Sequence, residues 1–400
     1  MARTYIGDFC DYYKGINIPR SETDVEFDIP YLHYGDIYKL YDFKINLNTK
    51  YDKIIKIKKD VKIKPEQYLS DGDIVYTLTS ETVDDLGHST LIINKQNLDF
   101  VSGMETTIIR IRDKTNFVPE FINYLFQSDN FRQRLRQYVT GMKVFRVHPR
   151  DLMRILIDIP DTQTQQKIVS ILDSLTNKID TNRKINDYLA QFAEMYFEYM
   201  IEKCTDYKEM ALTDIANYQN GLAMQKYRPI DGESSMPVLK IRELGMGCCD
   251  SNSDVCRTNI KNECIVQDGD VVFSWSGSLM IDIWSGGKCG LNQHLFKVTS
   301  DEYPLWFVFH WTNHYIGSFK EIAGNKATTM GHICRNHLEE SMIICPDNEI
   351  FQIMECVLGP VFEERKHLMK EIRVLQKIRD ELLPKLMSGE IDVSNLDLGS

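Results

Sequence analysis

The segment that decides the fold is Asp71-Gly72-Asp73-Ile74-Val75-Tyr76, because it returns later in the chain as Asp268-Gly269-Asp270-Val271-Val272-Phe273. Four further matches occur in the same order along the two halves of the sequence. They are Ile6-Gly7-Asp8-Phe9 with Leu212-Thr213-Asp214-Ile215, Tyr31-Leu32 with Val238-Leu239, Gly141-x-Lys143 with Gly324-x-Lys326, and residues 157–161 with residues 343–347. Self-similarity that keeps its order indicates a repeat. The sequence therefore predicts a tandem duplication of one unit.

Each copy is predicted to be a mixed α/β domain. Asp-Gly turns lead into β-branched runs such as Ile74-Val75-Tyr76, which is typical of strands. Helices are predicted at residues 119–138 and 304–322, because a proline opens each stretch near its first turn.

Each copy is followed by a long predicted helix. No Gly or Pro interrupts residues 162–203, and Thr162-x-x-Gln165 has the spacing of a capping box. The second copy repeats the pattern, and Pro384 is expected to end its helix. The predicted boundaries are a first domain at 1–160, a central helix at 161–204, a second domain at 205–346, a C-terminal helix at 347–387 and a tail at 388–400.

Apolar residues recur along both helices at the alternating three- and four-residue steps of a coiled coil. The residues predicted to pair the helices are Ile171, Leu175, Ile185, Leu189, Phe192, Leu368, Ile372, Leu375 and Leu382, with Lys178, Asn182, Arg365 and Arg379 on the same seam. The alternative is that each stripe packs on its own globular domain. The predicted fold is α/β, with two tandem mixed α/β domains joined by two long antiparallel coiled-coil helices. About 35 paired residues would span roughly 50 Å, or about one and a half turns of B-DNA.

The net charge of −11 over 400 residues argues, taken alone, against a protein that binds nucleic acid. Locally the balance differs, because residues 130–150 contain six Lys or Arg residues and no acid. Charge and repeat position select the candidate DNA contacts Arg110, Arg112, Lys143, Arg146, Arg242, Lys288 and Lys326.

Catalytic and metal-binding motifs are missing from the sequence. There is no G-x-G-x-x-G, no G-x-x-x-x-G-K-[ST] and no G-x-S-x-G. The cysteines at 248, 249, 256 and 264 lack a C-x₂-C pair, and His310 and His314 lack the glutamate of H-E-x-x-H, so no metal site is predicted. The ten cysteines and the missing export signal favour a reducing cytoplasm, and no apolar run has the length of a membrane helix.

Several of these segments together resemble one known family. Gly141-x-Lys143, followed by Leu152 and Ile159-Pro160 and then by Gln165-Gln166-Lys167-Ile168, is similar to the specificity (S) subunits of type I restriction–modification systems. So is the sequence Leu-Leu-Pro-Lys-Leu-Met-Ser-Gly-Glu-Ile at residues 382–391.

The resemblance implies a non-catalytic DNA reader in a bacterial or archaeal cytoplasm. Each target-recognition domain would bind one half of a split double-stranded target, and the helices would fix the gap. Two methyltransferase (M) subunits would pack on the helices and methylate adenines with S-adenosylmethionine, and restriction (R) subunits would use ATP and Mg²⁺. The resemblance implies no cofactor in this chain, and the short apolar runs predict no membrane partner.

Two other functions remain open on the residues alone. One is a non-enzymatic adaptor whose coiled coil joins two protein-binding domains. The other, a free-standing methyltransferase or nuclease, is disfavoured by the missing motifs. The second copy is acidic, so it would read DNA mainly by polar contacts, depend on the M subunits for electrostatic attraction, or be degenerate.

Overall fold

The computed structural model describes residues 2–39, 43–47, 54–83, 86–324, 331–394 and 396. The chain divides into unit 1, made of residues 1–177 and 377–400, and unit 2, made of residues 178–376. Each unit therefore holds one α/β domain together with a part of both long helices. Within the described ranges, no helix is long and apolar enough to cross a lipid bilayer.

Unit 1 contains thirteen described strands and five short α-helices ahead of the first long helix. The strands are β1 (Ala2–Tyr5), β2 (Cys10–Lys14), β3 (Thr23–Asp24), β4 (Ile29–Leu32), β5 (Lys44–Asn46), β6 (Lys56–Ile57), β7 (Ile74–Thr77), β8 (Thr79–Ser80), β9 (Ser89–Ile93), β10 (Val101–Ser102), β11 (Thr106–Ile111), β12 (Phe145–Arg146) and β13 (Leu156–Ile159). The helices are α1 (Ile6–Phe9), α2 (Tyr34–Lys39), α3 (Pro119–Gln127), α4 (Asp129–Arg136) and α5 (Pro149–Met153).

The strands of unit 1 form two main sheets. The first has the order β2-β11-β7-β9-β5, and the second has the order β10-β4-β6-β3. Two pairs are parallel, β5 with β9 and β10 with β4. Two smaller pairs, β1 with β13 and β12 with β8, complete the domain. Helix α3 packs on the first sheet and contributes Phe121, Ile122 and Phe126 to the main core.

Unit 2 repeats this plan with fewer strands. It contains β14 (Tyr207–Ala211), β15 (Asn217–Asn220), β16 (Ser235–Leu239), β17 (Val255–Arg257), β18 (Ile265–Val266), β19 (Val271–Ser274), β20 (Met280–Ile283), β21 (Cys289–Leu291), β22 (Leu295–Thr299) and β23 (Met342–Pro346). Its short helices are α7 (Leu212–Ile215), α8 (Ile241–Met246), α9 (Leu305–His314), α10 (Ile316–Gly324) and α11 (Arg335–Glu340). The sheets have the orders β15-β22-β19-β20 and β17-β16-β21-β18, and β14 pairs with β23.

The predicted duplication is confirmed by the backbone at the Asp-Gly-Asp segments. In unit 1 the amide of Gly72 donates to the carbonyl of Ile92 (2.8 Å), and in unit 2 the amide of Gly269 donates to that of Trp284 (2.8 Å). Each turn leads into a fully buried strand, β7 or β19, at the middle of its sheet. The parallel pair β4–β10 likewise has its counterpart in β16–β21.

The two long helices are α6 (Thr162–Lys203) and α12 (Asn348–Ser388). The expectation that Pro384 ends the second helix is wrong. A proline removes one backbone hydrogen bond, but Leu383 and Leu386 are buried in the core of unit 1, and their packing holds the helix through the proline.

Each of the two predicted shorter helices is broken into two. Ser128 adopts an extended conformation between α3 and α4, and its hydroxyl accepts a hydrogen bond from the amide of Phe131 at the start of the second helix. A serine at this position caps a new helix more favourably than it continues an old one. In unit 2, α9 and α10 are separated at Tyr315.

Candidate nucleic-acid and partner interfaces

Residues 130–150, which we call the basic tract of unit 1, contain a short hairpin near their centre. The amides and carbonyls of Thr140 and Arg146 exchange two hydrogen bonds of 2.9 Å, and β12 pairs with β8. Gly141 makes the turn with φ +109°, where a Cβ would lie 2.1 Å from the carbonyl oxygen of Val144. Phe145 packs against the core, which anchors the base of the hairpin. Only glycine fits this turn, which explains the residue in the Gly-x-Lys motif.

The tip of this hairpin presents cations to solvent. Lys143 and Arg146 are exposed, and neither side chain has a hydrogen bond or ion pair with any described residue. Met142, which lies between Gly141 and Lys143, is 93% exposed. Charges held this way on a fixed backbone are available to phosphate oxygens.

Other arginines of the basic tract stabilise the domain. The guanidinium of Arg132 donates to the carbonyl of Leu86, and that of Arg134 donates to the carbonyl of Leu156 (3.0 Å). Part of the positive charge counted in the sequence is therefore used within unit 1.

Arg110 is bound inside unit 1. Its guanidinium contacts the fully buried carboxylate of Asp73 (2.6 and 2.9 Å) and donates to the carbonyl of Tyr68 (2.8 Å). The hydrogen bonds to Asp73 raise the pKa of Arg110. In unit 2, Lys297 makes the corresponding contact with Asp270 (2.7 Å). These ion pairs fasten the Asp-Gly-Asp turns to their neighbouring strands.

Arg112 and Arg242 have similar internal roles. Arg112 donates to the backbone carbonyls of Gly7 (2.9 Å), Asp8 (2.7 Å) and Cys10 (3.0 Å). Arg242 forms a bidentate pair with Asp250 (2.8 and 3.0 Å) and also binds the buried Glu243. The hydrogen bonds from Arg242 lower the pKa of Asp250 to about 2. DNA contact stays a prediction for Arg110, Arg112 and Arg242. Their guanidinium donors are already bound within the protein, which does not favour that contact.

The two remaining candidates lie in unit 2. Lys288 is exposed and has no described partner. It follows Gly287, whose amide donates to the carboxylate of Asp268 (2.7 Å) and whose carbonyl accepts from the indole of Trp284 (2.6 Å). Lys326 lies outside the described residues.

The long helices pack against each other within each unit. In unit 1, Ile168 and Leu172 share a core with Leu383 and Leu386. In unit 2, the numbering runs in opposite directions along the contact, because Asn182 binds Glu371 (2.7 Å) and Asn186 contacts Arg365 (3.4 Å). The helices are therefore antiparallel there, as predicted.

The position of the seam corrects part of the predicted pairing set. Ile185 and Phe192 are 41% and 47% exposed, whereas Asn182, Ala193 and Phe197 are buried. Asn182 contacts Glu371 of α12, whereas Phe197 packs against Phe307, His310 and Trp311 of α9 in the core of unit 2. Of the other predicted residues, Leu368 is buried, and Ile171, Leu175, Leu189, Ile372, Leu375 and Leu382 are half-buried.

Polar groups lie inside the helix contact of unit 2. Asn182 is fully buried, and its Oδ1 has no hydrogen-bond partner among the described atoms. Arg365 is 7% exposed and lies 5.6 Å from the ring centroid of Phe309, and burial lowers its pKa. Buried polar groups cost stability but restrict helices to one register.

A second apolar stripe on α6 faces solvent. Its members, spaced by three and four residues, are Ile185, Tyr188, Phe192, Met195 and Tyr199, with exposures between 41% and 71%. We call this set the α6 stripe. Contiguous exposed apolar surface of this kind marks an interaction site.

The described residues contain no cluster of three or more His, Cys, Asp or Glu arranged to hold a metal ion. All ten cysteines are free thiols. His310 is buried against the rings of Phe197 and Phe309, and this burial lowers its pKa to about 3. It is a neutral core residue of unit 2.

Comparison with known proteins adds three findings. Residues 3–191 match a family model described as the type I restriction modification DNA specificity domain. The chain is 25% identical over 317 residues to the type I restriction enzyme MjaIX specificity subunit of Methanocaldococcus jannaschii, covering 71% of each chain. It is 24% identical over 376 residues to the EcoKI specificity subunit of Escherichia coli, covering 82% of this chain and 77% of the relative.

Among solved structures, the S subunit of a type I restriction-modification system from M. genitalium has a similar fold. The TM-score is 0.58 at 13% identity, over 96% of this chain and 95% of that one.

Proposed function

We propose that this chain is a specificity subunit of a type I restriction–modification system, the family whose model residues 3–191 match. In this proposal each of its two domains reads one half of a split double-stranded DNA target. The specificity role is non-catalytic. The observation that carries the proposal is the duplication, since two α/β domains with the same backbone turns and the same parallel strand pair provide two readers in one chain.

The basic hairpin supports phosphate contact by the first domain. Lys143 and Arg146 are exposed and free of described partners, and Gly141 and Phe145 fix the backbone that carries them. We expect these two cations to position the duplex without reading its sequence.

The long helices have two proposed roles. Their buried seam sets the gap between the two halves of the target. The α6 stripe is the docking surface for methyltransferase subunits, two per chain, because it is apolar, periodic and exposed. In this proposal S-adenosylmethionine is bound by the methyltransferase subunits, and ATP and Mg²⁺ are bound by restriction subunits that join them in the cytoplasm. No cofactor is assigned to this chain.

The test is DNA binding as a function of salt, measured by fluorescence anisotropy with the chain alone and with its methyltransferase subunits. We expect weak binding alone and tight binding of a split target by the complex. Replacing Lys143 by alanine should lower the slope of log K against log salt by about 0.9. A chain that serves as a protein adaptor would show no salt-dependent affinity for DNA even with its partners present.

A further inference from the structure

Each unit contains a cleft at the same place in its second sheet. In unit 1 the cleft has a volume of about 550 Å³ and lies between the segment after Gly15, the end of β4 and the turn that joins β10 to β11. In unit 2 a cleft of about 270 Å³ lies between the segment after Gly221, the end of β16 and the turn that joins β21 to β22.

The backbone frame of the two clefts is the same. A Cβ added to Gly15 would lie 1.9 Å from the carbonyl oxygen of Gly103, and one added to Gly221 would lie 2.2 Å from that of Asn292. Both glycines allow two chain segments to approach more closely than any side chain permits. One residue later, parallel bridges join Ile16 to Gly103 and Leu222 to Asn292.

The adjacent hydrogen bonds also match between the units. The amide of Gly103 donates to the carbonyl of Leu32 (2.9 Å), and the amide of Asn292 donates to that of Leu239 (3.0 Å). Each of these carbonyls ends the strand, β4 or β16, that runs parallel to its neighbour. The frame is therefore a preserved feature of the repeat.

The side chains that line the two clefts differ in charge. The cleft of unit 1 has two carboxylates, those of Asp36 and Glu105, and no Lys or Arg among its described lining residues. Glu105 has no described partner, whereas Asp36 accepts a hydrogen bond from the amide of His33 (3.0 Å).

The cleft of unit 2 has the opposite balance. It is lined by Arg228 and Lys240 with a single carboxylate, that of Asp254, to which Lys240 is paired. Arg228 and Gln225 are exposed, and neither has a hydrogen bond with the described residues. The guanidinium of Arg228 is therefore available to a ligand.

A constant frame with divergent lining is what two readers of different sequences require. In the major groove, an arginine fork donates to O6 and N7 of guanine, and a carboxylate accepts from the N4 amine of cytosine. A phosphate would be repelled by the carboxylates of the first cleft, so that cleft fits a base edge and not the DNA backbone.

We propose that these two clefts read base edges in the two halves of the target, with Arg228 donating to a guanine and Glu105 accepting from the exocyclic amine of a cytosine. The proposal rests on the proposed function. It assigns one half-site to the acidic cleft of unit 1 and the other to the basic cleft of unit 2. It requires the split target to be chemically asymmetric.

The test is the adenine methylation motif of a host that expresses the chain with its methyltransferase subunits. Arg228→Ala should relax one guanine in one half of the motif, and Glu105→Gln should relax one cytosine in the other half. Each loss of discrimination should be about 10- to 100-fold at that base pair. The matched controls Arg335→Ala, on α11, and Glu120→Gln, on α3, lie on helices of the main domain cores and should leave the motif unchanged.

The outcomes separate this proposal from the proposed function. A wild-type chain that gives no split motif overturns both. A wild-type split motif that persists unchanged in both variants, or that is relaxed in both halves by one variant, overturns the cleft assignment alone. If Arg228→Ala prevents methylation, Arg228→Lys decides, because lysine keeps the charge without the bidentate fork. The guanine should then still be relaxed, and an unchanged motif contradicts the assignment.

Discussion

Replacing Phe192 by alanine should weaken the binding of the methyltransferase subunit while leaving the fold intact. Phe192 is 47% exposed on α6, and its ring lies 5.8 Å from that of Tyr196. A phenylalanine side chain buries roughly 150–250 Å² when it is fully covered, so about 100 Å² remains for a partner to cover. At about 25 cal/mol per Å² this contributes about 2.5 kcal/mol, or about 70-fold in Kd.

The assay is isothermal titration of the purified chain with its methyltransferase subunit, accompanied by thermal unfolding of the chain alone. The matched control is Leu98→Ala, which removes a side chain of similar exposure (45%) from a loop of unit 1. We expect the control to bind like the unaltered chain and both variants to unfold within a few degrees of it. Equal affinity of Phe192→Ala and the unaltered chain would refute the assignment of the α6 stripe.

Three other changes test the account. Gly221→Ala should destabilise unit 2 by about 1–3 kcal/mol through overpacking, because the added Cβ would lie 2.2 Å from a backbone oxygen. The control Gly317→Ala should not destabilise unit 2, because a Cβ there has no atom within 4 Å. Urea unfolding of both variants measures the difference. His310 has a pKa lowered to about 3, so its stabilising effect is present above pH 6.5 and is lost as the pH falls toward 3. Between pH 7 and 4.5 the unaltered chain should lose about 2–3 kcal/mol that His310→Phe retains, and unchanged pH dependence of urea unfolding in the variant would contradict this. Inserting seven residues after Asn182 and seven beside its partner Glu371 keeps the heptad register of the two helices. The insertion should lengthen the tolerated gap between the half-sites by about 10 Å, or about three base pairs. Binding to duplexes with different gaps between the half-sites measures this change.

The repeat and the long helices could be predicted because their signals are local. The Asp-Gly-Asp segments form the same turn in both units, and residues 162–203 form one helix. The face of that helix could not be predicted from its apolar residues. Phe192 faces solvent while its neighbour Ala193 is buried in the core of unit 2, since burial is set by a partner that the spacing does not identify.

The candidate DNA contacts show a different limit. Lys143 could be selected because its Gly-x-Lys motif lies in a tract without acids. Arg110 looked equally suitable, yet its guanidinium is bound to Asp73, a residue remote in sequence and adjacent in the sheet. Charge counts cannot distinguish a free cation from one that already has a carboxylate partner. The two clefts could not be predicted, because the role of Gly15 and Gly221 depends on the segments that they approach in the folded chain.

We propose that one chain supplies both readers of a split DNA target. It is tested most directly by sequencing the adenine methylome of a host without other adenine methyltransferases, expressing the methyltransferase subunits with and without this chain. We expect methylation at a single motif, with two defined halves and an undefined gap of constant length, only when the chain is present. Methylation that is independent of the chain, or confined to a continuous motif, would contradict it.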